Sequence, residues 1–160
     1  FRFVFAPPGP PKPAESLKSY AANGTGTVRG VKDRDKEVQI EFWERAAKEG
    51  FTDERARASA QKFRLEFNAL DARLAEHSYL MGDSLSVLDI AWFIYAHRLS
   101  LAGYPFSRLH PRFSVWLETL RARPEFAKEI AMPPEAVARN EAIRRAHAEA
   151  AKSLELVAGF

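Results

Sequence analysis

The 160-residue sequence contains no cysteine. This excludes a disulfide framework, a cysteine-ligated zinc or iron–sulfur site and a cysteine nucleophile within these residues. Long apolar runs are also missing, because the longest run, from Ile90 to Ala96, has seven residues. A helix that crosses a membrane needs about 20. We therefore expect neither a membrane span nor a membrane partner.

An excess of charge of one sign is lacking as well. The sequence carries 24 Lys and Arg against 21 Asp and Glu, which gives a formal net charge of +3. A nucleic-acid surface gathers its basic residues on one face. The densest basic pairs here, such as Arg121/Arg123 and Arg144/Arg145, have acidic neighbours. They are typical of solvated helix faces, and we expect no nucleic-acid partner.

Motifs for metals, nucleotides and nucleophiles are missing too. The four histidines, at 77, 97, 110 and 147, include no pair spaced three or four residues apart, so none has the spacing of a helical metal site. The Gly24–Gly30 segment misses the dinucleotide-binding spacing by one residue, and no Gly-x-Ser-x-Gly elbow occurs. We expect no metal site and no catalytic residue within this sequence.

Residues 1–30 differ in composition from the rest. Five of the ten prolines lie between Pro7 and Pro13, and three of the eight glycines follow at positions 24, 26 and 30. This composition predicts a Pro-rich strap, a short helix around Ala14–Ala22 and a flexible loop. We expect residues 1–30 to belong, as strap and loop, to a helical domain that covers residues 31–160.

Helical periodicity begins near Val31 and continues beyond a stop signal at Gly50 and an N-cap at Thr52. The next helix carries an apolar stripe whose steps of four, three and four residues place it on one face: Phe63, Phe67, Leu70 and Leu74. The charged residues between them, including Asp71, are expected to point outward. After Pro134 the apolar residues are widely spaced, which predicts a helix packed loosely on the surface. No segment shows convincing strand alternation.

Residues 86–102 form the most apolar element. Apolar side chains surround nearly the whole circumference of this helix, which predicts that other helices bury it on several sides. Ser86 and Asp89 at its start have the spacing of a capping box, in which each side chain bonds the backbone N–H of the other residue. A structural role for Asp89 explains this pattern better than a catalytic one. The expected fold is an all-α bundle around this central helix.

Two segments, Tyr79–Asp83 (YLMGD) and Ser86–Ile90 (SVLDI), resemble the signature of the glutathione S-transferase C-terminal domain. The continuation is also similar, through Gly103, His110-Pro111, Trp116, Leu120 and Arg123-Pro124. The resemblance covers Phe63 to Phe126. It departs from the family pattern at Leu88, where alanine is usual, and at His110, where tyrosine is common. The Pro-rich strap resembles the elaborated loops of bacterial transferases related to the lignin β-etherases.

The resemblance implies a two-domain parent protein. In the family, a thioredoxin-like N-terminal domain binds glutathione and carries the thiol-activating residue, and neither appears in this sequence. The chain then corresponds to the helical domain of a cytoplasmic, homodimeric transferase and is inactive alone. That domain supplies dimer contacts and one wall of the site for a small hydrophobic electrophile. By family position the candidate wall residues are Phe3, Phe5, Trp92 and Tyr95, and a plain core position is the alternative for each of them.

Two other interpretations remain open at this point. One is a non-enzymatic binding or assembly module of the same family, and the other is an unrelated helical bundle, since fold alone does not fix function. The capping box is common to catalytic and non-catalytic members. The coding sequence upstream of Phe1 would separate them, because it either contains the thiol-activating residue or does not.

Overall fold

The computed structural model describes residues 2–5, 14–23, 27–32 and 34–160. The predicted strap of residues 7–13 lies outside them. The chain divides into two compact units, one of residues 7–52 and one of residues 1–6 with 53–160.

In chain order the elements are α1 (Arg2–Phe5), α2 (Ala14–Ala22), β1 (Thr27–Val28), β2 (Val31–Lys32), α3 (Arg34–Glu49), α4 (Asp53–Arg73), α5 (Val87–Leu101), α6 (Phe106–Leu109), α7 (Pro111–Arg121), α8 (Pro124–Glu129), α9 (Pro134–Glu149) and α10 (Leu154–Ala158).

The smaller unit contains α2, a short hairpin and α3. The two strands pair antiparallel with Val28 opposite Val31. Arg29 and Gly30 between them have φ angles of +52° and +78°, as the central residues of a type I′ turn require. The sequence predicted α2 correctly, but it predicted a flexible loop where this hairpin forms. Strands of two residues are too short to show alternation.

The larger unit is helical, and the all-α prediction is confirmed. Its core centres on Phe67 of α4, which is completely buried. The rings around it come from α5, α6, α7 and the two connections between these helices, namely Trp92, Tyr104, Phe106, His110 and Phe113. The predicted stripe on α4 therefore faces the core, and α4 packs against α7 and α10.

Asp71 of α4 does not point outward, so that prediction is wrong. Its side chain is buried, and its Oδ1 accepts a hydrogen bond of 2.8 Å from the backbone N–H of Phe113. Phe113 lies in the first turn of α7, where backbone N–H groups have no partner within the helix. Asp71 follows Phe67 by four residues, so it shares the face of α4 that packs on the core.

The C-terminal segment packs more tightly than its sequence predicts. It forms α9 and α10, separated near Ala151, whose φ angle is +53°. Leu154, Val157 and Ala158 of α10 are buried, and α10 packs against α4. The expectation of a loose surface helix is therefore wrong for α10. The apolar residues looked sparse because they belong to two helices rather than to one.

Candidate functional site

The predicted capping box is present at the start of α5. The backbone N–H of Asp89 donates to Oγ of Ser86 at 3.4 Å, and the backbone N–H of Ser86 donates to Oδ2 of Asp89 at 2.9 Å. The Ser86 hydroxyl also donates to Oδ2 at 2.6 Å. The two side chains therefore fix the first turn of α5.

The second carboxylate oxygen of Asp89 links two further segments to this turn. Its Oδ1 accepts from the backbone N–H of Leu80 at 2.9 Å and from the indole Nε1–H of Trp116 at 3.0 Å. Asp89 is completely buried. One carboxylate thus joins the loop before α5, the helix itself and α7. Sequence reasoning missed both bonds, although a buried tryptophan N–H usually needs an acceptor.

The environment of Asp89 favours its ionised form. Burial alone would raise its pKa, but the hydrogen bonds from Leu80, Ser86 and Trp116 outweigh this effect and lower the pKa. Each oxygen already accepts two hydrogen bonds, which accounts for the lone pairs of a carboxylate. Asp89 therefore has no free site for a substrate proton, and its role is structural.

Two of the predicted wall residues lie side by side. The rings of Trp92 and Tyr95 on α5 have centroids 6.2 Å apart, and Phe63 of α4 lies 6.2 Å from Tyr95. Trp92 is half-buried against Phe67, whereas Tyr95 exposes 52% of its surface. These rings form a continuous aromatic edge between α4 and α5.

Phe3, the third predicted wall residue, does not join this edge. Phe3 of α1 is buried with its ring 5.0 Å from that of His147, in a cleft that it shares with Ala102. Trp92 and Ala102 are ten residues apart, or about 15 Å along a helix axis. Phe5 ends α1, and its side chain lies outside the described residues.

One side of α5 is apolar and faces solvent. We call it the outer stripe; its members are Val87, Ile90, Ala91, Ile94 and Tyr95. Val87 is 81% exposed, and Ile90 and Ile94 are 46% and 44% exposed. The prediction that α5 is buried on several sides is therefore wrong on this side. A contiguous exposed apolar surface marks a site of interaction.

A second buried polar pair lies near the core aromatics. Nε2 of His110 is 2.9 Å from Oη of Tyr104, and both residues are buried. Burial lowers the pKa of His110; nearby Asp71 opposes this change and Arg64 adds to it. Burial also raises the pKa of Tyr104 to about 12. Both groups are therefore neutral at physiological pH, and their role is structural, within the core.

Within the described residues, no group of three or more His, Asp or Glu side chains is arranged to hold a metal ion. The described helices also include none that is long and apolar enough to cross a membrane.

Comparisons with known proteins found a matching family and a relative. A family model described as "Glutathione S-transferase, C-terminal domain" matches residues 41–124, a range that contains the capping box, the aromatic edge and the outer stripe. A rice (Oryza sativa subsp. japonica) protein described as "Probable glutathione S-transferase GSTF1" is 34% identical over 73 residues, which is 44% of this chain and 32% of that protein. The chain thus spans about a third of this relative's length. No solved structure matches it significantly.

Proposed function

Because the chain belongs to the glutathione S-transferase C-terminal domain family, we propose that it forms the helical wall of the hydrophobic substrate site in a glutathione transferase. Glutathione is the co-substrate of that protein. A thioredoxin-like domain outside these 160 residues binds it and lowers the pKa of its thiol to give the nucleophilic thiolate. The rice relative, which is described as a probable glutathione S-transferase, supports the proposal.

The observation that carries the proposal is the apolar outer stripe with its aromatic edge. Val87 and Tyr95 each expose more than half of their surface, which costs free energy unless a partner or ligand covers them. Small-molecule sites are concave and mostly apolar, with few polar groups. Trp92 and Tyr95 would bind the apolar body of the electrophile and exclude water from it, while the thiolate attacks from the other domain.

Dimerisation, location and subgroup form part of the same proposal. Leu65 of α4 and Val115 of α7 are each 68% exposed, and such residues suit contacts within a homodimer. Family membership also favours a cytoplasmic protein. The prolines between Pro7 and Pro13 favour the subgroup related to the bacterial β-etherases.

Kinetics of the protein extended by its upstream coding sequence test the proposal. Trp92→Ala and Tyr95→Ala should each raise the KM for an aromatic electrophile by about fivefold to thirtyfold, which corresponds to about 1–2 kcal/mol of apolar contact. The KM for glutathione should not change. Leu156→Ala, which removes an exposed apolar side chain from α10, is the matched control.

Two outcomes would contradict the proposal. If the Trp92 and Tyr95 variants behave like Leu156→Ala, these residues do not line the substrate site. If the extended protein shows no conjugation with several electrophiles, the non-enzymatic binding module is the better explanation.

A further inference from the structure

A cleft of about 410 Å³ lies among α1, the end of α5, α9 and α10. Its floor consists of Phe3, Ala102 and Leu154, whose exposed fractions are 4%, 8% and 5%. Sites for small organic ligands have volumes of about 300–1,000 Å³ and mostly apolar linings. The cleft lies beyond the C-terminal end of α5, away from the aromatic edge that contains Trp92. It is therefore a separate site from the substrate wall.

Two arginines of α9, Arg144 and Arg145, line this cleft. Arg144 extends over Gly103, where an added Cβ would lie 3.7 Å from its Nε and Nη2. Gly103 also has a φ angle of +87°, which disfavours any residue with a side chain. In the part of the chain that the structure describes, neither arginine forms an ion pair. Two guanidinium groups beside an apolar floor are thus available to bind a negatively charged group of a ligand.

The acidic side chains of the lining leave a positive balance. Glu155 forms an ion pair with Arg108, so its charge is compensated. Glu141 lies one helical turn before Arg145, and none of the described basic residues pairs with it. With Glu155 compensated by Arg108, the two arginines of the lining are opposed by one glutamate, Glu141. A single additional negative charge would balance the cleft.

We propose that this cleft binds a small organic carboxylate. The carboxylate accepts hydrogen bonds from the guanidinium groups of Arg144 and Arg145, whose planar donor pairs match its two oxygens. The apolar body of the ligand lies on Phe3 and Leu154. A monoanion with an apolar body suits the cleft better than inorganic phosphate, because Glu141 repels a second charge and phosphate would leave the floor uncovered.

Binding can be measured by NMR titration of the ¹⁵N-labelled chain with 2-naphthoate. The neutral analogue 2-naphthalenemethanol and inorganic phosphate serve as separate probes of the apolar and anionic parts. We expect naphthoate to shift the amide signals of Gly103, Ser153 and Leu154 and to bind at least about tenfold more tightly than either probe. Equal affinity for naphthoate and its neutral analogue would overturn the proposal. So would shifts confined to Ile90 and Ile94 of the outer stripe.

Variants of α9 test the assigned residues. The double variant Arg144→Gln/Arg145→Gln should weaken naphthoate binding at least tenfold. Glu141→Gln should strengthen it severalfold, because it removes a competing carboxylate. Arg139→Gln changes an exposed arginine of α9 outside the cleft and should leave the affinity unchanged. A double variant that binds as well as Arg139→Gln would overturn the proposal.

Discussion

At the residue scale, the Asp89 carboxylate accepts hydrogen bonds from the backbones of Leu80 and Ser86 and from the indole of Trp116. Asp89→Ala leaves these donors without their acceptor, and each unsatisfied buried group costs about 1–3 kcal/mol. We expect this variant to lose about 3–5 kcal/mol of unfolding free energy, measured by urea denaturation. Asp83→Ala, at a largely exposed carboxylate, is the control. Equal losses in the two variants would contradict the structural role of Asp89.

Ser86→Ala removes the reciprocal acceptor of the capping box and should cost less, about 1 kcal/mol. Because Ser86 and Asp89 bond each other, the double variant should lose less than the sum of the two single losses. Additive losses in the same denaturation experiment would show that the two side chains act independently.

His110 makes the stability depend on pH. Burial lowers its pKa, so between that pKa and about 6.5 the unfolded chain binds a proton that the folded chain does not. The free energy of unfolding should therefore fall as the pH drops below about 6.5. Burial, together with the nearby charges of Arg121 and Arg98, lowers the pKa of His97 as well. His110 therefore accounts for only part of the decrease in unfolding free energy at low pH.

The matched variants are His110→Gln and His77→Gln, compared by thermal unfolding at pH 7.5 and pH 5.5. His110→Gln should reduce the loss of stability between these two pH values, whatever its effect at pH 7.5. His77 is half-buried outside the core, beside Asp83, and serves as the control. An unchanged loss in His110→Gln would show that His110 does not contribute to this pH dependence.

The sequence predicted the bonds between Ser86 and Asp89 because they are local. The bonds from Leu80 and Trp116 join positions that only the folded chain brings together, so no spacing rule predicts them. The burial of Asp71 could have been predicted, because Asp71 follows Phe67 by four residues and therefore shares its face of α4. An acidic residue on the apolar face of a helix is expected to be buried with a partner.

At the element scale, Asp71 of α4 caps α7. Asp71→Ala removes the acceptor for the Phe113 N–H and should lower the unfolding free energy by about 1–2 kcal/mol. Asp71→Asn retains a side-chain oxygen and should recover most of this loss. If the two variants are equally destabilised, the charge near Arg112 matters more than the cap.

The two faces of α5 should respond differently to substitution. Phe93 is buried at 2% exposure, and Phe93→Ala should cost about 3–5 kcal/mol. Ile94→Ser on the outer stripe should change the unfolding free energy of this chain by less than about 0.5 kcal/mol. Urea denaturation of both variants measures the contrast. A large loss in Ile94→Ser would mean that the stripe is covered within the chain itself.

Helix periodicity predicted the elements with strong amphipathic or capping signals, such as α3, α4 and the start of α5. It missed the hairpin at Thr27–Lys32, which is too short for a pattern. From the apolar circumference of α5 it also predicted burial by other helices on several sides, which the exposed outer stripe contradicts. Periodicity reports how apolar a surface is, but it does not say whether the covering partner belongs to the same chain.

At the scale of the whole molecule, the family match covers residues 41–124 and includes every feature that we assign to the substrate wall. The proposed carboxylate cleft depends on α1, α9 and α10, which lie outside that range. The central claim is that this chain provides a wall, while another domain provides glutathione binding and thiol activation. This division remains a prediction, and it rests on the family motifs in this sequence, which are those of the helical domain.

The most direct test compares glutathione conjugation by the purified 160-residue chain with conjugation by the protein extended through its upstream coding sequence. Both are assayed with the same aromatic electrophile and against the uncatalysed reaction. We predict no turnover above the uncatalysed rate for the chain and clear turnover for the extended protein. Conjugation by the 160-residue chain itself would contradict the account, because the thiol-activating group would then lie among its own residues.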